Sequence, residues 1–458
     1  MTLSILPHPS AFRPEGPPAL WGGLECSVVR VGARLRDQFH ETGHHERPGD
    51  LAATAALGLR TLRYPVSWER VAPHTPDDHD WAWHDARLGE MRRLGITPIV
   101  GLVHHGSGPG WTGLLDPRFP PRLAAFAGAV ARRYPWVVDW TPVNEPLTTA
   151  RFAGLYGHWY PHGNDEHSFL RMVAIQCQAV LLAMRAIRQV VPTARLVQTE
   201  DLGRVFATAP LQAQADYENQ RRWLSLDLLL SRVGSSHPFY PRLRAAGVDE
   251  AVLDDLRTGD LAPVVLGFNH YITSERFLDH RMALHPAHTH GGNGRARYAD
   301  TEAARMPMPT GQTGWLPRLR EAWQRYPDTP LAVTEVHLGS TPDEQIRWLA
   351  ECWQAAMALR GAGANLIAVT PWALFGAVDW CSLLTRTDGR YEPGAFHAAP
   401  GQPVRATALA TAIATLAQHG QFEDAAAAVP GWWERADRIA PGLRRAQALL
   451  PVQHQLAG

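Results

Sequence analysis

Two glutamates sit where a carboxylate is least at ease. Glu145 closes the stretch VVDWTPVNE and Glu335 lies in LAVTEVHLG, each at the end of a hydrophobic, strand-like run. Burying a lone carboxylate is costly unless something pairs with it, so two such residues point to chemistry that uses both. The competing reading is a pair of unrelated structural glutamates. A neutral carboxylic acid that protonates a leaving oxygen, beside a carboxylate that attacks or stabilises an anomeric carbon, is what cleavage of a glycosidic bond requires. Cleavage with retention of configuration expects the two carboxyl groups about 5–5.5 Å apart. Two like charges resist sharing one pocket, so the acid of the pair should have a raised pKa.

Side chains so far apart in sequence meet only if regular elements carry them to one place. Apolar, β-branched runs recur eight times: LWGGLE from 20, LRTLRYPVSW from 59, ITPIVGLVHH from 96, VVDWTPVNE from 137, ARLVQTEDLG from 194, APVVLGFNHY from 262, PLAVTEVHLG from 330 and ANLIAVTPWALF from 364. Amphipathic stretches separate them, among them DLAATAALG, WHDARLGEMRRLG, PPRLAAFAGAVARRYP, the long HSFLRMVAIQCQAVLLAMRAIRQVVP and DEQIRWLAECWQAAMALRGAG. Strand and helix in alternation imply a parallel sheet. Eight such units predict an α/β fold of the (β/α)₈ TIM barrel type, and no GxGxxG opens the first helix to suggest a dinucleotide fold instead. Polar residues gather at the C-terminal ends of these strands: Glu25, Trp68, His104, His105, Asn144, Glu145, Glu200, Asn269, Glu335 and Trp372. In a barrel that is the active face. The expected organisation is a barrel over 1–425, closed by a helix at 405–419, and a C-terminal helical tail over 426–458 packed on it. The stretch from about 273 to 315 follows the sixth strand and is too long for a routine connection, so it is expected to shape a pocket.

Composition removes other chemistries. The 458 residues are 45% hydrophobic and 19% charged, with 44 basic and 44 acidic side chains. A zero net charge offers no field for a nucleic-acid backbone. The sequence contains no lysine. Schiff-base aldolases, pyridoxal-phosphate enzymes and Walker-type phosphate loops need an amine that arginine cannot replace, because arginine does not deprotonate. Cys26, Cys177, Cys352 and Cys381 form no CxxC pair and are expected to be buried thiols. The first residues carry no basic region before an apolar run, and no stretch of 18 apolar residues occurs. A cytoplasmic protein without a membrane partner is the expectation. His40, His44 and His45 fall in one loop and His285, His288 and His290 in another, within the His-rich segment 280–297. Neither group has helical ligand spacing, so solvated histidines are expected, with no metal and no cofactor. The Gly-Ser-Gly at 106–108 is a loop, not a nucleophile elbow.

At these motifs the chain resembles glycoside hydrolase family 1, the retaining β-glycosidases that keep their carboxylates on barrel strands four and seven. WTPVNEP resembles the acid/base motif, which makes Glu145 the general acid/base and Asn144 a ligand of the sugar 2-hydroxyl. LAVTEVHLG resembles the nucleophile motif around Glu335. LRTLRYPVSWERVAP resembles the second-strand segment, with Arg63 keeping the nucleophile ionised. TPIVGLVHH implies His104 at the 3-hydroxyl, and VLGFNHYITS implies Asn269 on sugar and Tyr271 on the nucleophile. WALFGAVDW keeps the spacing of Trp372, Asp379 and Trp380, an indole face for the pyranose and a carboxylate for its hydroxyls.

Two departures touch specificity. The first strand lacks the family's sugar-binding Gln, Val29 standing near its place, with Glu25 as the substitute. Asp379 replaces a glutamate and is one methylene shorter. WGGLECSVVRVGARLRDQ with ETGHHERPGDL resembles the family 1 type domain found fused to a dTDP-4-dehydrorhamnose reductase, which hints at deoxysugar metabolism. The resemblance implies a retaining exo-β-glycosidase acting on a small saccharide or glycoside. A transglycosidase using the same glycosyl-enzyme, a non-catalytic carbohydrate-binding barrel and a metal-dependent hydrolase are the alternatives. The last needs a His-x-His on strand one, which WGGLE lacks.

Overall fold

The computed structural model describes residues 16–439 and Leu443. Eight parallel strands close on themselves: β1, in two pieces Ala19–Leu20 and Gly22–Gly23, then β2 Thr61–Pro65, β3 Thr97–His104, β4 Asp139–Asn144, β5 Arg195–Asp201, β6 Val264–His270, β7 Leu331–Val336 and β8 Leu366–Pro371. The break in β1 at Trp21 is what closes the ring. Its first piece pairs with β8, Ala19 opposite Ala368, and its second with β2, Gly23 opposite Arg63. Trp21, Ile99, Val197, Val265, Ala332 and Ala368 pack together as a separate cluster within the barrel. The larger core lies between the strands and the helices around them. Strands buried on both faces explain the continuous apolar runs of the sequence.

The helices alternate with the strands: α1 Asp50–Ala56, α2 Ala82–Arg93, α3 Phe119–Arg133, α4 Glu166–Arg188, α5 Glu250–Thr258, α6 Trp315–Arg325, α7 Pro342–Gly361 and α8 Ala408–His419. Their starts follow capping rules. The Asp165 side chain accepts from the Ser168 N–H at the start of α4, and Thr341 accepts from Glu344 ahead of Pro342, the first residue of α7. α4 is long and apolar enough to cross a membrane by length and composition, but two-thirds of its apolar window is buried inside the protein, 67%. Its apolar stripe, with Phe169, Val173, Val180 and Met184, packs along α3 and the barrel.

The 273–315 stretch is more ordered than a loop. Glu275–Asp279, His290–Gly292 and Arg297–Glu302 join Arg204–Ala207 in a four-stranded sheet above the C-terminal ends of β5 and β6. The closing helix appears as α8. Up to residue 439 the predicted helical tail is turns and two 3₁₀ segments, Ala425–Ala428 and Ala436–Arg438, Leu443 is helical, and the rest of the tail lies outside the described residues, as do the first fifteen. Trp433 explains the irregular path: its indole N–H donates to Glu351 at 2.7 Å and its ring meets Trp348 edge-on, so tertiary anchors override local propensity.

Three cysteines are buried as expected, and Cys381 is exposed. Two histidines are not solvated. His44 is buried between the Asp50 carboxylate at 2.8 Å and the Tyr64 hydroxyl at 2.9 Å, and His285 is buried against Asp279 at 2.9 Å. An imidazole that makes hydrogen bonds at both nitrogens can be buried at little cost.

Candidate active site

The strand ends open into a cavity of about 1520 Å³. Glu25, Glu145, Tyr271, Glu335, Trp372 and Trp380 all line it. Six of the expected site residues from five strand ends are therefore brought to one cavity, as the barrel argument requires.

Glu335, in β7, is 2% exposed and held from two sides. Arg63, in β2, donates from Nη1 to Glu335 Oε1 at 2.7 Å, and the Tyr271 hydroxyl donates to Oε2. Arg63 is itself fixed by the Thr334 carbonyl at 2.9 Å, by Asn144 Oδ1 at 2.7 Å, and by the Trp372 ring beneath its guanidinium at 4.5 Å. Burial raises the Glu335 pKa to about 7, against the downward pull of Arg63 and Tyr271. Arg63 and Tyr271 favour the carboxylate that a nucleophile must be, and burial opposes them.

Among the described residues, no arginine lies within ion-pair distance of Glu145. Asn269 Nδ2 donates to its Oε1 at 2.5 Å, and His105 Nε2 lies 3.7 Å from Oε2. Burial drives the His105 pKa down to about 3, so that ring is neutral. Burial first, and then the charge of Glu335, drive the Glu145 pKa well upward. The carboxyl without a cation takes the proton and the one bonded to Arg63 keeps the charge, the division of roles that an acid and a nucleophile need.

The backbone at Glu145 is left-handed, φ 44° and ψ 66°. Pro146 behind it disfavours right-handed helical geometry at Glu145 and starts a short helix, Pro146–Ala150. Glu200, in β5, holds that helix start: its carboxylate accepts from the N–H groups of Leu147 at 2.9 Å and Thr148 at 3.2 Å, and from the hydroxyls of Thr148 and Ser225 at 3.0 and 2.7 Å. With the Asp201 N–H at 3.2 Å as a fifth donor, this buried carboxylate anchors the strained residue that carries the acid. Sequence reasoning placed Glu200 at a strand end without a role; its partners are remote in the chain.

Four of the expected sugar ligands make contacts within the protein. Asn144 is 1% exposed, and its Oδ1 accepts from Arg63 and, at 2.7 Å, from Thr199. Its Nδ2 faces the Nε2 atoms of His104 and His105 at 3.3 and 3.4 Å. Asn269 is fully buried and spans Glu145 and the Thr334 hydroxyl, the latter at 2.6 Å. His104 lies stacked on Trp372, with His105 taking the place on the cavity wall. Asp379 is fully buried: Arg36 donates to it at 3.0 Å, as do the N–H groups of Gly389 at 3.2 Å and Arg390 at 2.9 Å. A carboxylate one methylene short is captured by Arg36, which its side of the barrel also ties to Glu41. Glu25 does reach the cavity, and Trp372 N–H donates to it at 3.2 Å.

His40, His45 and Glu46 offer ligand atoms within 4.8 Å of one another. Arg70 donates to His45 Nδ1 at 2.6 Å, which puts the ring proton on Nε2 and sets a cation against the group. Neither feature suits a metal ligand.

A family model described as Glycosyl hydrolase family 1 matches residues 37–389. The aryl-phospho-beta-D-glucosidase BglH of Bacillus subtilis (strain 168) is 22% identical over 376 residues, 75% of this chain and 77% of that protein. A phospho-cellobiase of Klebsiella oxytoca is 27% identical over 165 residues, and the match spans only 35% of that relative's length and 33% of this chain. Among solved structures, a family 1 β-glucosidase from Thermotoga maritima has a TM-score of 0.68 at 15% identity, over 90% of this chain and 100% of that one. The same enzyme in complex with deoxynojirimycin scores 0.67. These likenesses show the barrel fold.

Proposed function

The chain belongs to glycosyl hydrolase family 1, and from that premise we propose that it is a retaining exo-β-glycosidase working by double displacement. Glu335 attacks the anomeric carbon while Glu145 gives its proton to the leaving oxygen, so the C–O bond to the aglycone breaks as the bond to Glu335 forms. Glu145, now a carboxylate, takes a proton from water, and the hydroxide equivalent displaces Glu335 from the sugar. The starting protonation state is restored. Arg63 and Tyr271 support the charge of Glu335 at the start and end of this cycle, and Asn269 orients Glu145.

The observation that carries the reading is the unequal treatment of two carboxyls in one cavity, one bonded to an arginine and a tyrosine, the other to a neutral amide. The catalytic residues are Glu145 and Glu335; Trp372, Trp380 and Glu25 face the sugar. Relatives named for phosphorylated glucosides suggest a phosphorylated glycone, but the arginine beside Glu335, Arg63, is already bonded to it and Glu25 adds an acid to the cavity lining, so an unphosphorylated glycone is proposed. The link to deoxysugar metabolism belongs to this proposal also.

The test is hydrolysis of p-nitrophenyl β-glycosides of glucose, galactose, fucose, mannose, xylose and rhamnose, with Glu335→Ala as control and the product anomer followed by NMR. Release lost in Glu335→Ala with a β-anomer formed first is the expected result. An α-anomer formed first, or release that survives Glu335→Ala, would sink the mechanism.

A further inference from the structure

We infer that the glycone carries a protonated amine and that Glu25 is the residue that selects it; this rests on the glycosidase reading above. Glu25 follows β1 and faces the cavity, 6% exposed. Its Oε1 accepts from the N–H of Ser27 at 2.9 Å and from the Ser27 hydroxyl at 2.6 Å, and its Oε2 accepts from Trp372 Nε1 at 3.2 Å. Three neutral donors aim the carboxylate at the cavity, and among the described residues no arginine or histidine lies within ion-pair distance of it.

The cations nearby are committed elsewhere. Arg63 is bonded to Glu335, Thr334 and Asn144, and Arg36 to Asp379 and Glu41. Of the arginines lining the cavity, Arg276 pairs with Asp300, Arg305 with Glu302 and Arg435 with Glu344, Arg151 lies 4.0 Å from Asp201, and Arg438 donates to the carbonyls of Ala304, Glu434 and Arg435. Glu335 is matched by Arg63, whereas Glu25 meets only neutral donors and offers its carboxylate to the cavity without a cation partner. A sugar that enters displaces the water that solvates that charge.

A carboxylate can only accept hydrogen bonds, so it reads donors on the substrate. A hydroxyl donates but leaves the charge in place. An ammonium donates and cancels it, through a charge-assisted bond about twice as strong as a neutral one, at a site where reduced solvation strengthens the attraction. Asp379, the other acid the sequence offered to the glycone, cannot compete, since Arg36 and two backbone N–H groups hold it away from the cavity.

The experiment compares kcat/KM for p-nitrophenyl β-glucosides and β-galactosides with their analogues carrying an amino group in place of the hydroxyl at C2, C3, C4 or C6. One amino isomer should exceed its parent by about tenfold or more, the step between a neutral and a charge-assisted hydrogen bond. That ratio should fall as pH rises through the amine's own pKa, collapse in Glu25→Gln and persist in part in Glu25→Asp. Parents cleaved as well as or better than every amino analogue would overturn the inference while leaving the hydrolase reading standing. A preference that is unchanged in a folded Glu25→Gln variant would overturn the role of Glu25. Folded wild-type protein that cleaves no glycoside of either set removes the hydrolase reading, and this inference with it. The wild-type comparison decides the amine question even if the Gln variant does not fold.

Discussion

The charge on Glu335 is contested by its surroundings, and that contest is measurable. Burial lifts its pKa to about 7 while Arg63 and the Tyr271 hydroxyl pull it down. A protonated carboxyl cannot attack, so kcat/KM should fall as pH drops through about 7. Tyr271→Phe removes one of the two supporting contacts, so the acidic limb should move to higher pH and kcat should fall in a protein with an unchanged circular dichroism spectrum. A limb that stays in place would mean that Arg63 alone supports the charge. On the alkaline side, activity should decline when Glu145 loses its proton, at a pH well above an ordinary glutamate. Glu145 and Glu335 stand out in the sequence because each closes an apolar strand-like run, whereas Arg63, in mid-strand, and Tyr271 are expected only through the family resemblance of their segments. Asn269 and Asp379 sit in equally clear motifs, yet their contacts depend on Thr334 and Arg36, far away in the chain. Local spacing carries a side chain to the cavity rim; remote partners decide which way it turns.

Elements position the site through two tight junctions. The first is β1 against Trp372: a Cβ placed on Gly23 would lie 2.3 Å from the Trp372 ring. Gly23→Ala should push that ring from its stack with Arg63 and His104, raising KM more than it lowers kcat and costing about 1–3 kcal/mol of stability, as overpacking does. Thermal unfolding and the near-ultraviolet tryptophan signal would check this; an unshifted signal with normal KM would show that the sugar does not use this ring. The second junction is Glu200 under the helix after Glu145. Glu200→Gln keeps the shape but exchanges an acceptor oxygen for a donor facing N–H groups, which should cost about 1–3 kcal/mol. Because that helix carries the turn at Glu145, kcat should fall more than KM changes. The strands and most of the helices were readable from periodicity, since burial on both faces writes continuous apolar runs. The tail was not. AAVPGWWERADRIA has helical composition, but Trp433 and Arg435 are drawn to Glu351 and Glu344 on α7, contacts that no local pattern encodes.

At the scale of the whole molecule, the buried titratable groups set stability against activity. Glu69, Glu275 and Glu351 join Glu335 in having pKa values raised from 4.5 to about 7 by burial. A carboxyl whose folded pKa is raised contributes stability that is present below the unfolded value and lost as pH rises through the folded one, here between about 4.5 and about 7. Buried histidines act in the opposite sense. His84, His105 and His270 are lowered from 6.5 to about 3 by burial, and His104 also moves well down. Their neutral burial costs nothing above 6.5 and destabilises the fold progressively as pH falls below it, because the unfolded chain then binds protons that the folded one refuses. Asp279, lowered to about 2 by the hydrogen bonds of Arg281 and His285 that outweigh its burial, adds a further loss at the acidic end. Between about 4.5 and 6.5 the two families oppose one another, and beyond either limit one family acts alone. The unfolding temperature should therefore peak between about pH 4.5 and 6.5 and decline on both sides. Hydrolysis needs Glu335 ionised, so kcat/KM should still be rising where the unfolding temperature has begun to fall. Scanning calorimetry and initial rates over the same buffers test this directly, and maxima that coincide would show that the buried carboxyls are already ionised in the folded protein at the lower pH. In Glu335→Gln one carboxyl of the set is gone, so the decline in unfolding temperature above pH 6.5 should become shallower while the acidic decline, owed to the histidines, stays as it was.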